Sequence, residues 1–189
     1  MPKLSIIIPC YNEVKNIPSL VNRLKQIKND YTEFILVDNG STDETPKVIN
    51  HSLLGMEQYL KIVTIHQNIG YGHGIMSGIK EAKGDIIAWT HADLQTDPED
   101  VLNAYSIHFE GGNKFKSILK GKRVGRNIFD TFFTYGMGLL SSLLLKKPLS
   151  DINAQPKMFH KSFLEKLTDA PDDFSLDLYL LFQARKNKY

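Results

Sequence analysis

Short apolar runs alternate with amphipathic segments through the first half of the chain, and few folds accommodate that rhythm. Leu4–Pro9 is a continuous apolar run ended by proline, as in a strand buried on both faces. Asn16 is the expected cap of the next segment, with Pro18 in its first turn. Ile17, Leu20, Val21, Leu24 and Ile27 then recur at spacings of three and four, giving a helix one apolar face. Glu33–Val37 is a second strand, stopped by Asp38-Asn39-Gly40-Ser41; Ser41 or Thr42 is expected to cap a helix with Asp43 and Glu44 near its positive end. Leu60–Ile65 is a third strand, Gly72–Lys83 a helix closed by Gly84, and Asp85–Thr90 a fourth strand. The alternation predicts an α/β fold, a mostly parallel central sheet with helices on both faces and right-handed crossovers.

The pattern loosens after a helix opened by Asp97-Pro98-Glu99. Lys116–Lys120 reads as an edge strand, Gly125–Lys146 as one long apolar helix or two, Pro156–Phe159 as a short strand and Phe174–Asn187 as a last helix. With no internal repeat or low-complexity linker, residues 1–189 read as one domain, a nucleotide-type half (1–110) and a more variable half (111–189). At 42% apolar and 23% charged, the chain is globular in composition, which excludes disordered and fibrous classes. A net charge of +2 is too small for bulk attraction to nucleic acid, so any anion must be recognised locally. The single cysteine, Cys10, cannot pair within the chain and suits a reducing compartment. Met1-Pro2-Lys3 leads directly into the first strand without a secretory signal. The stretch Ile128–Leu145, broken by Asp130 and by glycines, threonines and serines, falls short of the ~20 apolar residues of a bilayer span.

Ligands of open α/β sheets bind beyond the carboxyl ends of the strands. The residues there are Pro9-Cys10-Tyr11-Asn12-Glu13, Asp38-Asn39-Gly40-Ser41, His66-Gln67-Asn68-Ile69-Gly70 and His91-Ala92-Asp93-Leu94-Gln95, all polar. Any one alone is an ordinary connector; their coincidence on one edge marks a site. Asp93 can supply the hard oxygen that Mg or Mn prefers, or it can cap the turn into the Asp97 helix. The glycines of Gly70-Tyr71-Gly72-His73-Gly74 lack dinucleotide-fingerprint spacing and suit close approach of backbone to a ligand or to the sheet. Lys120-Gly121-Lys122-Arg123-Val124-Gly125-Arg126 is either a solvated loop or a phosphate clamp built on Arg123 and Arg126. The six histidines are not spaced for zinc, and Tyr11 can either stack on a base or simply pack.

In order along residues 4 to about 100, Ser5-Ile6-Ile7-Ile8-Pro9-Cys10-Tyr11-Asn12-Glu13, Val37-Asp38-Asn39-Gly40-Ser41-Thr42-Asp43, Asn68 with Gly70-Tyr71-Gly72, Gly78-Ile79 with Ala82, Gly84 and Asp85, and Ala92-Asp93-Leu94-Gln95 with Asp97-Pro98-Glu99 resemble glycosyltransferase family 2. Gly121-Lys122-Arg123 with Arg126, and Ser150-Asp151 with Asn153-Ala154-Gln155-Pro156-Lys157-Met158-Phe159, are similar to its dolichyl-phosphate mannose synthase and polyprenyl-phosphate sugar transferase subgroup. The resemblance implies a GT-A (nucleotide-diphospho-sugar transferase) fold, a nucleotide-sugar donor, a divalent metal and inversion at the anomeric carbon. It implies that Pro9, Tyr11, Asn12 and Glu13 line a nucleoside pocket with Gly70 and Ala92, that Asp38 and Asn39 meet base or ribose, and that Asp93 holds the metal with Gln95 nearby. His91 stands where the family commonly has the first aspartate of Asp-x-Asp, which leaves Asp93 the carboxylate and makes His91 a candidate for metal or phosphate contact. Asn39 stands where many relatives have a second aspartate, so base identity is open. Relatives of the subgroup often continue beyond the last helix, many into membrane spans, whereas this sequence ends at Tyr189.

The acceptor decides whether a base is needed: a phosphate monoester, with a second pKa near ~6, attacks unaided, whereas a sugar hydroxyl needs a carboxylate. Asp151 is the acceptor-side candidate, as base, as orienter of the basic loop or as a mere loop cap, with Asp177 second. A lipid phosphate would be gripped by Arg123 and Arg126. The helix bearing Phe129, Phe132, Phe133, Met137, Leu139, Leu140, Leu143 and Leu144 could rest on a membrane; its periodicity favours a buried core helix or a dimer interface. The resulting expectation is a cytoplasmic inverting glycosyltransferase, with its acceptor a polyprenyl phosphate or cell-envelope glycan, working at the inner face of the membrane. Its alternatives are a non-catalytic nucleotide-sugar-binding module and a nucleotidyltransferase; the latter's glycine-rich basic loop is missing after the first strand.

Overall fold

The computed structural model describes residues 3–110, 115–123 and 128–189, with side chains of the helix at 128–145 described from Tyr135 onward. Strands β1 (Leu4–Cys10), β2 (Thr32–Asn39), β3 (Leu60–Ile65), β4 (Ile86–Trp89), β5 (Ile118–Lys120) and β6 (Lys157–His160) form one sheet in the order β3-β2-β1-β4-β6-β5. The first four strands in that order are parallel; β6 runs antiparallel to both β4 and β5. In register, Cys10 lies beside Asp38, Ile7 beside Trp89, Trp89 beside Lys157 and Lys157 beside Lys120. The carboxyl ends of β1, β2, β4 and β5 and the start of β6 thus share one edge.

Both faces are covered, which is why β1 reads as unbroken apolar sequence. Leu4, Ile6, Ile8 and Cys10 point into a core shared with α1 (Ile17–Ile27), α2 (Thr45–His51) and α4 (Pro98–His108). Ile7 points the other way, with Ile35, Val37, Ile87 and Trp89, into a core closed by α3 (Tyr71–Lys80) and α6 (Leu176–Lys186).

Local details correct several expectations. Asn16 makes no side-chain cap; its amide instead donates to the Glu13 carboxylate at 2.6 Å. Neither Ser41 nor Thr42 caps α2, which starts at Thr45, whose amide bonds Asp43 at 2.9 Å. Gly84 does not end α3, which stops at Lys80; its amide bonds the buried Ser5 hydroxyl, and a Cβ there would lie 2.7 Å from that oxygen.

From Tyr135 onward the long helix α5 (Ile128–Leu145) is not buried in the core, one of the two packings expected for it. Tyr135, Leu140, Leu143 and Leu144 are exposed, and only its far end joins a small cluster in which Leu145 meets Leu149, Ile152, Leu178 and Leu181. Phe129, Phe132 and Phe133 lie outside the described side chains. Among the described residues, no helix is long and apolar enough to cross a membrane.

Candidate active site

The shared edge opens into a cavity of about 540 Å³ lined by the ends of β1, β2 and β4, the turn before α3 and the residues before α6. Pro9, Tyr11, Glu13, Asn39, Gly70, His91, Ala92 and Asp93 come together there, as the sequence suggested. Cys10, Asn68, Tyr71, Asp173 and Phe174 complete the lining. Asp173 and Phe174 were missed because they enter from about 80 residues further along the chain, where Phe174 reads as the first residue of the last helix; that helix begins at Leu176.

Three expected pocket residues act beside the cavity. Asn12, at φ 56°, accepts the Thr42 backbone N–H on its side-chain oxygen at 2.8 Å while its own backbone N–H donates to the Ser41 hydroxyl, tying the loops after β1 and β2 together. Asp38 accepts the Ser41 amide at 3.1 Å, closing the turn. Gln95 presents its backbone amide to Asp93 Oδ1 at 3.1 Å. Asp97, rather than Asp93, caps α4, accepting from the Glu99 amide and binding Arg23 of α1.

Asn39 is almost wholly buried, and its amide nitrogen donates to the Gly70 carbonyl at 3.0 Å. Its Oδ1 has no protein partner, so the group left for a ligand is an acceptor. Tyr71 stacks on Phe174 at 4.9 Å and lies 5.9 Å from the His91 ring, forming an aromatic wall. Burial, then the nearby Asp177 carboxylate, push the Tyr71 phenol up, so it stays neutral. Cys10, buried at the cavity floor, is pushed up by burial and by Glu13 and Asp38, leaving an unreactive thiol.

For the implied metal, Asp93 keeps an oxygen beyond the one bonded to Gln95, and His91 shares the cavity. Among the described residues no three His, Cys, Asp or Glu side chains cluster to cage a cation. This donor set fits Mg or Mn completed by ligand phosphates and water, and does not fit a caged structural ion.

On the far side, Asp151 is devoted to Arg123: its Oδ2 accepts the Arg123 amide at 2.8 Å and its Oδ1 the guanidinium Nε at 2.7 Å. Burial alone would raise the Asp151 carboxyl, but these bonds and the Arg123 charge outweigh it and hold the pKa below the ordinary carboxylate value. Arg123 Nη2 is buried with no partner among the described residues. Arg126 lies outside the described residues. Asp177, the second acceptor-side candidate, is buried and accepts from Trp89 and Gln155.

A parallel sheet extended by antiparallel β6 and β5, with a donor-sized cavity at its carboxyl edge, is the architecture of nucleotide-sugar glycosyltransferases. A mannosyltransferase from Pyrobaculum calidifontis in complex with GDP-mannose and Mn2+ superposes with a TM-score of 0.69 at 20% identity, covering 94% of this chain and 50% of that one. Glucosyl-3-phosphoglycerate synthase from Mycobacterium tuberculosis, in complex with Mn2+, UDP-glucose and phosphoglyceric acid, gives 0.74 at 20% identity over 95% of this chain and 64% of that one. Residues 5–167 match glycosyl transferase family 2, and the chain belongs to that family. Undecaprenyl-phosphate 4-deoxy-4-formamido-L-arabinose transferase from Proteus mirabilis (strain HI4320) is 34% identical over 113 residues, 58% of this chain and 34% of that protein. The enzyme of the same name from Enterobacter sp. (strain 638) is 25% identical over 173 residues, 87% of this chain and 51% of that protein. The chain spans between a third and half the length of these curated relatives.

Proposed function

We propose that this chain is the catalytic domain of an inverting glycosyltransferase that moves a sugar from a nucleotide-sugar donor to a polyprenyl phosphate at a membrane surface. The observation that carries the reading is the cavity at the carboxyl edge, with Asp93 and His91 on one wall and the Tyr71–Phe174 pair on another. It is large enough for a nucleoside diphosphate, and family membership and relatives named as undecaprenyl-phosphate sugar transferases support it.

The site residues divide by task. Tyr11, Glu13, Asn39 and Gly70 would hold the nucleoside, with Asn39 Oδ1 accepting an N–H of the base. Asp93, with His91, would hold Mg or Mn on the donor diphosphate; the cation would supply charge neutralisation for the leaving group. Transfer is a single displacement. An acceptor phosphate oxygen forms the new bond to the anomeric carbon on one face, while the bond to the diphosphate oxygen breaks on the other.

No base is required of the protein if the acceptor is a phosphate, whose second pKa near ~6 leaves it ionised at neutral pH. Both carboxylates considered for that role are otherwise engaged, Asp151 by Arg123 and Asp177 within the core, which supports an acceptor that arrives as an anion. Arg123, part-exposed and held by Asp151, would grip the phosphate, and Arg126 three residues on is the second candidate.

The bare flank of α5 supports a membrane partner. Tyr135, Leu140, Leu143 and Leu144 are each more than half exposed, and Lys146 and Lys147 follow directly, as on a helix lying on anionic lipid. Such an enzyme works at the inner face of the cytoplasmic membrane, where nucleotide sugars are available.

The test is thermal-shift binding of UDP, GDP, CDP and dTDP, each with Mn, Mg or chelator, followed by release of nucleoside diphosphate from the matching donor with a polyprenyl phosphate. One nucleotide should stabilise the protein only with metal, and Asp93→Ala should abolish both that stabilisation and turnover. Full activity in Asp93→Ala, or no nucleotide binding, would sink the reading.

A further inference from the structure

Lys157, the first residue of β6, is a fully buried ammonium that no substrate can reach. It has two carbonyl acceptors and a carboxylate counter-ion. Nζ donates to the carbonyls of Ile152 and Ala154 at 2.8 Å each and lies 3.2 Å from Asp177 Oδ1. The carbonyls belong to the segment just after Asp151, the residue that holds Arg123. Asp177 lies in the first turn of α6, just beyond the cavity residues Asp173 and Phe174, and also accepts the Trp89 indole N–H at 3.3 Å and Gln155 Nε2 at 3.1 Å. Gln155 in turn donates to the Tyr71 hydroxyl at 3.1 Å, and Tyr71 is part of the aromatic wall.

We infer that Lys157 is the positioning residue of the acceptor side: it fixes the 151–154 segment, and through Asp151 the placement of Arg123, at a set distance from the donor cavity, with Asp177 as its counter-ion. The inference rests on the reading of Arg123 as the acceptor-phosphate ligand. As a stabilising device the pair is a poor choice, because a buried ion pair often gains nothing over apolar residues of the same volume. Its geometry explains its presence better. A leucine or methionine here would fill the space but leave the Ile152 and Ala154 carbonyls without a donor, and the segment they anchor would be free to shift. Burial pushes the Lys157 pKa down to about 8, with Asp177 opposing, so the ammonium form predominates at neutral pH and keeps all three donors.

The test compares wild type with the charge-balanced pair Lys157→Met/Asp177→Asn, which removes the lysine bonds to both carbonyls without leaving a buried charge unpaired. Hydrogen exchange reads the segment without substrate. In the double variant the amides of residues 149–155 should exchange roughly tenfold faster than in wild type, with β1 and β2 unchanged. Kinetics then separate positioning from a loss of folded protein. The double variant should raise the KM for polyprenyl phosphate about tenfold while kcat and nucleoside-diphosphate affinity change little, and adding Asp151→Asn should cost little more because both act through Arg123.

Unchanged exchange at 149–155, a fall in kcat at constant KM, or full additivity with Asp151→Asn would overturn the inference. If wild type transfers no sugar, the functional reading fails, while the exchange result still decides whether Lys157 fixes the segment. Should the double variant not fold, wild type alone decides: the Ala154 amide must open only with the sheet, and earlier local opening refutes the role.

Discussion

Gly72, in the first turn of α3, gives the sharpest test of how the cavity wall is seated. A Cβ there would lie 2.1 Å from the Pro171 carbonyl oxygen and 2.9 Å from both the Asp172 carbonyl carbon and the Asp173 carbonyl oxygen. A carbon–oxygen contact needs ~3.3 Å, so Gly72→Ala must push the 171–173 backbone away by about 1 Å. Two opposing terms follow. Alanine in a helix gains up to ~1 kcal/mol over glycine, and overpacking against backbone costs ~1–3 kcal/mol. The His73 amide bond to the Asp172 carbonyl, 2.9 Å long, is strained by the same movement, so the cost should win by about 1–2 kcal/mol. At roughly 2–4 °C per kcal/mol for a chain of this size, the melting temperature should fall by several degrees. Because the displaced segment runs into Asp173 and Phe174, nucleoside-diphosphate affinity should fall about tenfold, measured by calorimetric titration. Gly136→Ala is the control, in the middle of α5 with no atom within 4 Å of its Cβ, and should raise stability by up to ~1 kcal/mol. A Gly72→Ala protein as stable as wild type and binding nucleotide equally well would refute the seating of residues 171–173 on this turn.

Other outcomes follow from single contacts. Asp151→Asn should weaken the hold on Arg123 and raise the polyprenyl-phosphate KM about tenfold, with a stability change of no more than ~1 kcal/mol because the pair is partly exposed; an unchanged KM in steady-state assays would contradict it. The Asp151 carboxyl lies lower in the folded chain than in the unfolded one, so its contribution is present above the ordinary carboxylate pKa and is lost as pH falls through the depressed value. Asp85 beside Lys161 and Asp97 beside Arg23 are held down in the same way, so melting temperature should be flat with respect to these groups near neutrality and drop in acid below about pH 4. Leu140→Glu with Leu144→Glu should abolish sedimentation with anionic vesicles while shifting stability by under ~0.5 kcal/mol, since both side chains are exposed; retained vesicle binding, or conversion of a dimer to a monomer, would assign that face to another partner.

Local physics explains which parts of the fold were readable from the sequence. Buried parallel strands such as Leu4–Cys10 and helices with one apolar stripe, such as Ile17–Ile27, carry their burial in the spacing of their own residues. Their strand ends also told where the cavity lies, because topology alone puts them on one edge. Caps were less readable, because Asn16, Thr42 and Asp38 can each satisfy several neighbours and the choice depends on which loop lies opposite. Whether α5 is core or interface was unreadable for a related reason. A segment apolar around most of its circumference has no stripe to orient it, and nothing in its own sequence says whether protein or something else covers it.

The acceptor side depends on contacts that are distant in sequence. Asp177 meets a tryptophan 88 residues earlier, and Gln155 a tyrosine 84 residues earlier, so spacing along the chain carries no sign of either bond. A sequence reading sees in Asp151 and Asp177 two carboxylates available for acid–base work. In the folded chain, Asp151 positions an arginine and Asp177 balances a buried lysine. Their assignment changes the chemistry expected of the acceptor. A hydroxyl acceptor would have to lose its proton to a carboxylate that is already hydrogen-bonded, whereas a phosphate monoester brings its own charge and needs a cationic grip, the role proposed for the Arg123 that Asp151 holds.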